Sequence, residues 1–376
     1  MSRWDTLKDR APGLAAALPG WAIACVLVLA AIVIAEYAHY GGGHSFAQAL
    51  VGHERGLMAW DSDWYLRIAR DGYDSLPVEG LRYFPLYPIA ARVANSVIGG
   101  GVKLHLLLIA NCFALVAGVL LYRLCMHEKG NVRLATRSAW LLALAPPAFV
   151  LAMAYTESLA LTFAIGTFYA MRRDRWGWAA LAGLLAGLVR PTGLLLLAPV
   201  AVEAWRSLPP ATPKRIALRV AAFLSPIAGT GIYLWWSHVA RGDAFLPLTV
   251  QQRSNARGSF QLPLVTFWDA ARELMTEARI DQGLHLLWVA ILVVLVVNVF
   301  RHWPASYGAF AAVSLLQAVA TSNLNSIERY GYGAFPIVLA AASLFDTPRS
   351  ERLLLIGSSL AMTGYATAAF VSGFVP

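Results

Sequence analysis

Short polar stretches interrupt the long apolar runs of this chain, and their residue types suit proton transfer and anion binding. The first is Trp60-Asp61-Ser62-Asp63-Trp64-Tyr65. A carboxylate flanked by tryptophans near a membrane surface is partly desolvated, and desolvation makes a carboxylate a stronger base. Asp61 is therefore the candidate general base. Its plainer alternatives are a solvated loop acid or a helix N-cap, a common place for aspartate ahead of a helical pattern. The Asp61-x-Asp63 spacing is compatible with a divalent metal, but two carboxylates without further ligands do not require one. No other cofactor is indicated.

Glu157 follows Tyr155-Thr156 in a tight turn between two apolar runs. A charge beside a bilayer has to be solvated, paired or functional. Capping of a helix together with Thr156 and Ser158 is the alternative. Arg190 precedes Pro191, and Arg329 stands between Glu328 and Tyr330. A guanidinium fork matches a phosphate or carboxylate. For Arg190 the alternative is an interfacial snorkelling side chain, and for Arg329 a simple surface arrangement with Glu328. Arg82, ahead of Tyr83-Phe84-Pro85, is a third candidate cation.

Other features carry less. His39, His44 and His53 lack ligand spacing, and Gly41-Gly42-Gly43 is not followed by the lysine and serine of a phosphate loop. The small-xxx-small pair Gly183 and Gly187 is explained by close helix packing. Cys25, Cys112 and Cys125 sit in apolar runs without CxxC or Cys/His spacing and are expected to be small buried hydrophobes.

These residues must be positioned by membrane helices. The 376 residues are 58% hydrophobic and only 14% charged, against about 25% charged for a soluble domain. Crossing a ~30 Å hydrocarbon core takes roughly 20 apolar residues. The sequence predicts an all-α polytopic protein, one integral membrane domain over residues 1–376. Spans are expected at about 20–38, 104–125, 137–153, 158–171, 176–190, 192–206, 217–239, 284–300, 305–322, 331–345 and 352–372, which makes about eleven. The first is read as a retained helix, since no small-x-small cleavage site follows it.

Basic residues in short loops set the orientation. With the N-terminus in the cytoplasm, Arg3, Lys8 and Arg10, Arg123 to Arg137, Arg172 to Arg175, Lys214 to Arg219, Arg301, and Arg349 with Arg352 all fall inside. The short outside turns hold only Arg190 and Arg329. The formal charge of +9 thus marks cytoplasmic loops and not nucleic-acid binding. Two longer outside segments, 39–103 and 240–283, complete the topology. The first is rich in aromatics and suits amphipathic helices at the membrane surface; on one such helix Asp61, Trp64, Tyr65 and Ile68 share a face. Pro85 and Pro88 are expected to bend the path beyond it. In the second, Arg253 to Phe260 is expected to be mobile. The polar motifs all fall on the outer side.

Trp60-Asp61 with Tyr65, Ile68-Ala69 and Gly72-Tyr73, then Tyr83-Phe84-Pro85-Leu86-Tyr87-Pro88, Ala154-Tyr155-Thr156-Glu157, and Arg190-Pro191-Thr192-Gly193 follow one another in order. This ordered set resembles the PIG-V-like mannosyltransferases, the bacterial branch of the GPI mannosyltransferase II family within the GT-C glycosyltransferase superfamily. The similarity runs from about residue 55 to 335. It implies a GT-C fold in the inner (plasma) membrane with an extracytoplasmic active site. It also implies a polyprenyl-phosphate-mannose donor in place of a nucleotide sugar, and a lipid or glycan acceptor.

By the resemblance Asp61, rather than Asp63, is the base of an inverting displacement. Arg190, Arg329 and Arg82 are expected at the donor phosphate. Trp60, Asp63, Tyr65, Tyr83, Glu157 and Gln252 are expected on the sugar and acceptor side. The family's Gly-Asp-Pro-like block reads Gly242-Asp243-Ala244-Phe245 here, followed by Gln251-Gln252-Arg253. A lipid or lipid-linked-sugar flippase is the competing class, since it too gathers charges in a membrane. Transporters are often built from inverted repeats, which this sequence does not show. A scaffold would not need a one-sided set of acids and arginines.

Overall fold

Long apolar runs without charge set the longest helices, and proline and glycine set their ends. The computed structural model describes residues 10–41, 43–52, 56–206, 212–253, 258–276 and 280–372. Arg3, Lys8, Gly42, His53 and residues 254–257 of the second outer segment lie outside the described residues. In chain order the helices are α1 (Pro12–Tyr40), α2 (Phe46–Val51), α3 (Asp61–Asp71), α4 (Leu86–Ile98), α5 (Val102–Lys129), α6 (Val132–Leu144), α7 (Glu157–Arg172), α8 (Trp176–Val189), α9 (Leu197–Arg206), α10 (Pro213–Arg241), α11 (Leu246–Thr249), α12 (Pro263–Thr276), α13 (Ile280–His302), α14 (Ala305–Val319), α15 (Ile327–Tyr332), α16 (Pro336–Ser343) and α17 (Pro348–Ser372). Among the described residues, extended pairing is confined to one isolated bridge, Phe260 with Thr321.

Segments of α1, α5, α10, α13 and α17 are long and apolar enough to cross a membrane. This is a multi-pass membrane protein. The other six expected spans also fall on helix, but on shorter or broken pieces. Pro146 and Pro147 end the expected 137–153 span after α6, and a 3₁₀ turn, Pro146–Leu151, follows. Proline lacks the N–H that the next helical bond needs. The 192–206 span starts as a 3₁₀ turn, Pro191–Leu196, before α9. The 331–345 span falls on the two short helices α15 and α16. In the first outer segment the chain bends at Tyr83-Phe84-Pro85. Pro88, by contrast, sits in the first turn of α4, where a missing N–H costs nothing.

The chain forms two compact units. The first holds residues up to Leu76, Pro85–Tyr169, and Ala342 onward to the end of α17; the second holds Pro77–Phe84 and Ala170–Ala341. In the first unit α1 packs on α5, α6 and α17. Small residues allow the approach: Ala17 meets Gly118, and Gly20 faces Trp140, whose ring N–H donates to the Ala16 carbonyl at 2.9 Å. Glu351 on α17 pairs with Arg133 and Arg137 of α6 at 2.6 and 3.3 Å. Cys125 is buried, Cys25 is half-buried and Cys112 is exposed on α5, so the reading of all three cysteines as buried holds for Cys125 alone.

In the second unit α8 and α10 pack closely, as the Gly183/Gly187 spacing predicts. A methyl group on Gly187 would collide with the Pro226 carbonyl and lie 2.9 Å from the Thr230 nitrogen. Pro226 cannot donate to the Ala222 carbonyl one turn back; the Ser225 hydroxyl does so instead, at 3.0 Å. Arg172, Glu203 and Ser306 form a polar tie between α9 and α14, with bonds of 2.6 to 3.2 Å to the Glu203 carboxylate.

Candidate active site

Asp61 is the first residue of α3, and the N-cap position belongs to Trp60. Trp60 holds φ 60°, a conformation costly for a bulky residue. The turn is braced by Ser62 and Asp63, whose N–H groups reach the Ala59 and Trp60 carbonyls at 3.3 and 3.1 Å. Ser62 is buried and its hydroxyl donates to the Leu57 carbonyl at 3.3 Å. Asp61 and Asp63, both half-buried, thus occupy the first turn of α3, where the helix dipole favours negative charge.

Two distant motifs meet here, within the first unit. Tyr155 Oη accepts the Asp61 N–H at 3.4 Å, and Tyr65 Oη lies 3.0 Å from Thr156 Oγ1. Glu157 opens α7 and is buried together with Tyr155, Thr156 and Ser158. The Thr156 carbonyl accepts the Ala160 N–H at 2.9 Å. Two helix starts, each led by a carboxylate, are joined by buried aromatics and hydroxyls. The Tyr87 ring stands edge-on to Tyr65 at 5.1 Å, and its hydroxyl donates to the Leu106 carbonyl at 2.8 Å. Burial chiefly, then the neighbouring Tyr65 and Glu157, push the Tyr87 phenol well above its ordinary range and keep it a donor. Trp60 is partly exposed. Trp64 carries the Arg67 guanidinium over its ring at 5.1 Å.

The cations gather in the second unit. Arg190 ends α8, its N–H bonded to the Ala186 carbonyl at 3.2 Å. Gly193 follows in a turn so tight that a side chain there would strike Ala186. The Arg190 and Arg329 guanidinium carbons lie 5.7 and 5.6 Å from the Tyr330 ring centroid. The motifs around residues 190 and 329 are therefore one cluster. Arg329 belongs to α15, a six-residue helix preceded by Ser326 at φ 60°. Glu328 is not a surface residue, which corrects the surface reading of Glu328 and Arg329. Its carboxylate is buried, and Oε1 lies 2.9 Å from His285 Nδ1 on α13.

Arg82 bonds the Tyr83 hydroxyl at 2.5 Å and lies over that ring at 4.9 Å. Its segment is braced by Tyr233, which donates to the Leu81 carbonyl at 2.9 Å and packs on Phe84 at 4.6 Å. Gln251, rather than Gln252, reaches this segment, donating to the Arg82 carbonyl at 3.3 Å; Gln252 is exposed. Glu79 and Arg253 form an ion pair. The stretch expected to be mobile is tethered where it is described: Ser259 accepts the Ser322 N–H at 3.0 Å beside the Phe260–Thr321 bridge. His44 is paired with Glu36 at 2.7 Å. Among the described residues no three His, Cys, Asp or Glu side chains are grouped to hold a metal ion.

Sequence reasoning missed His285, a lone histidine in an apolar run. It passed over Tyr155, Thr156 and Tyr87 as individual site residues, although all three stand inside motifs it singled out.

The family model described as "Mannosyltransferase (PIG-V)" matches residues 34–272. The chain is 31% identical over 163 residues to "GPI alpha-1,6-mannosyltransferase 2" of Cricetulus griseus, covering 40% of this chain and 32% of that protein. The protein of the same name from Rattus norvegicus is 32% identical over 168 residues, 41% of this chain and 32% of the relative. The match therefore spans about a third of the length of these curated relatives. Among solved structures the fold is similar to ArnT from Cupriavidus metallidurans bound to undecaprenyl phosphate. The TM-score is 0.51 at 17% identity, over 83% of this chain and 60% of that one. The architecture is of the GT-C type. With the family model covering more than half of its length, the chain belongs to the PIG-V mannosyltransferase family.

Proposed function

We propose that this membrane glycosyltransferase moves mannose from polyprenyl-phosphate-mannose to an acceptor hydroxyl on the extracytoplasmic side, with Asp61 as general base. The observation that carries the reading is the setting of Asp61. It is half-buried at a strained helix start, its N–H on Tyr155, inside the segment shared with the PIG-V family.

In the proposed step the acceptor oxygen attacks the anomeric carbon as its proton passes to Asp61. The bond from that carbon to the phosphate oxygen breaks on the opposite face, and the lipid phosphate leaves as an anion. Arg190 and Arg329, gathered at Tyr330, meet that charge through charge-assisted hydrogen bonds; Arg82 is a third donor of the same kind. Glu157 and the hydroxyls of Tyr65 and Tyr155 orient the sugar or the acceptor. Inversion of a β-linked donor gives an α-linked product, in keeping with the name of the curated relatives. The undecaprenyl phosphate bound to the structural neighbour supports a lipid-phosphate donor. A glycolipid acceptor fits best with a site beside the membrane.

The test compares wild type with Asp61→Asn, using purified protein, labelled polyprenyl-phosphate-mannose and a membrane lipid extract. General-base assistance is worth about 10² to 10⁴ in rate, so the variant is expected to bind donor and form almost no mannolipid. Normal turnover by the variant would remove Asp61 from the mechanism. Translocation of the donor without transfer by wild type would favour a flippase.

A further inference from the structure

Arg219 is buried within α10, far along the sequence from every motif used above. It is only 5% exposed. Its guanidinium carbon lies 5.5 Å from the ring centroid of Trp176, the first residue of α8. Nε and Nη1 are both enclosed and have no hydrogen-bond partner among the described residues. The nearby carboxylates are engaged elsewhere. Asp174 accepts the Trp176 ring N–H at 2.8 Å and pairs with Arg215. Glu203 is held by Arg172 and Ser306. The connecting sequence 207–211 contains no acid. A buried charge left without a counter-ion is strongly destabilising, so this guanidinium calls for an anion.

The start of α8 calls for the same ligand. This 14-residue helix has Arg175 at its N-cap and no side-chain cap. Free N–H groups at such a terminus, together with the helix dipole, attract phosphate. A side chain built on Gly177, in that first turn, would meet nothing within 4 Å. The outer side of that first turn is therefore open.

The surroundings identify the source of the anion. Arg173, Arg175, Arg206, Lys214 and Arg215 are exposed around this end of the second unit. Trp178 and Trp205, 64% and 77% exposed, stand among them. Exposed tryptophans mark the level of lipid headgroups, and clustered basic residues there attract anionic lipids. Arg215 stands one helical turn before Arg219 and so shares its face of α10.

We propose that Arg219, backed by the Trp176 ring and the N-terminus of α8, binds the phosphodiester of an anionic phospholipid. The exposed arginines form the rim, and the acyl chains run along the apolar flank of α10, where Ile216 and Val220 are exposed.

The experiment uses the full chain in mild detergent with phosphatidylglycerol, phosphatidylcholine or inorganic phosphate added in turn. Retained lipid is read by native mass spectrometry and thermal unfolding is followed in parallel. Wild type is expected to retain phosphatidylglycerol and to unfold at a higher temperature with it, but not with phosphatidylcholine. Removing a charge-assisted contact, Arg219→Gln is expected to cut retention by roughly tenfold or more. Arg219→Lys, which keeps the charge but loses the planar fork, is expected to fall between, and is the variant to read if Arg219→Gln does not fold. Equal retention by wild type and Arg219→Gln would overturn the proposal. A thermal shift reproduced in full by inorganic phosphate would overturn the lipid assignment and leave a site for soluble anions.

Discussion

Glu328→Ala tests whether a buried hydrogen bond holds the arginine cluster in place. α15 has six residues, and isolated helices shorter than about 12–15 residues are marginal in water. The residue before it is held at φ 60°, which adds a cost of about 1–3 kcal/mol. Tertiary contacts must therefore fix α15, and a buried polar one is Glu328 to His285, 2.9 Å between side chains 0% and 2% exposed. A hydrogen bond to a charged group contributes about 1.5–3 kcal/mol. Taking away the carboxylate leaves the buried imidazole unsatisfied, which costs about 1–3 kcal/mol. Glu328→Ala is expected in that range. Glu328→Gln keeps an oxygen that accepts the imidazole N–H and is expected to lose about 1 kcal/mol or less.

Arg329 and Tyr330 follow directly in the chain, so displacement of α15 carries into transfer. Each ~1.4 kcal/mol lost from their competent arrangement lowers the rate about tenfold. Transfer by Glu328→Ala is expected to fall about 5- to 150-fold, and by Glu328→Gln within about fivefold. The assays are labelled mannose transfer and thermal unfolding in one detergent, completed by His285→Ala and the double variant as a cycle. Wild-type turnover and unfolding temperature in Glu328→Ala, or a cycle with no coupling, would refute this account of α15.

Packing and charge set the outcome at three further positions. Arg190→Lys keeps the charge but loses the planar group at Tyr330; a cation–π contact is worth about 0.5–2 kcal/mol, so kcat/KM for the lipid donor is expected to drop roughly 3- to 30-fold, with Arg190→Ala lower still. Gly187→Val forces a branched side chain against the Pro226 carbonyl and is expected to destabilise by about 1–3 kcal/mol or more. Gly231→Ala, with nothing within 4 Å, should be neutral or stabilising by thermal unfolding.

Much of this arrangement is legible in the sequence, for physical reasons. Apolar runs give membrane helices because no other element but a closed barrel satisfies its backbone in lipid. Gly183 and Gly187 announce a close crossing because only small residues permit one. The acid-bearing motifs around Asp61 and Glu157 meet in the first unit, and the arginine motifs around residues 190 and 329 meet in the second. What stays hidden is whichever partner lies far away in sequence and has no local pattern. His285 pairs with a glutamate 43 residues on, and nothing around it in its apolar run marks it. Arg219 reads as one more charge of a basic loop, yet it lies inside α10. Gln251 and Gln252 differ only in which side of a three-residue 3₁₀ turn each occupies, and rotation by a third of a turn per residue sends one inward and the other to the surface.

Strain marks the same places that charge does. Among the described residues three non-glycine residues hold a positive φ: Trp60, Asp174 and Ser326. Trp60 and Ser326 are the residues immediately before α3 and α15, and Asp174 stands two before α8. Each sits beside a charge cluster: Asp61 and Asp63 after the first, Arg219 with Trp176 beside the second, Arg329 after the third. Tryptophan and serine gain nothing intrinsically from such a backbone, and aspartate tolerates it through local hydrogen bonds, so the surroundings hold each of the three in place. At Trp60 this is done by Ser62 on the Leu57 carbonyl and Tyr155 on the Asp61 N–H. At Ser326 the bracing comes from Glu328 on His285, with Gly331 pressed against Leu292. At Asp174 the carboxylate is gripped by Trp176 and Arg215. Were these turns only connectors, glycine would serve each at lower cost. Their side chains are instead used to set where the next helix begins, and with it where the first-turn charges stand.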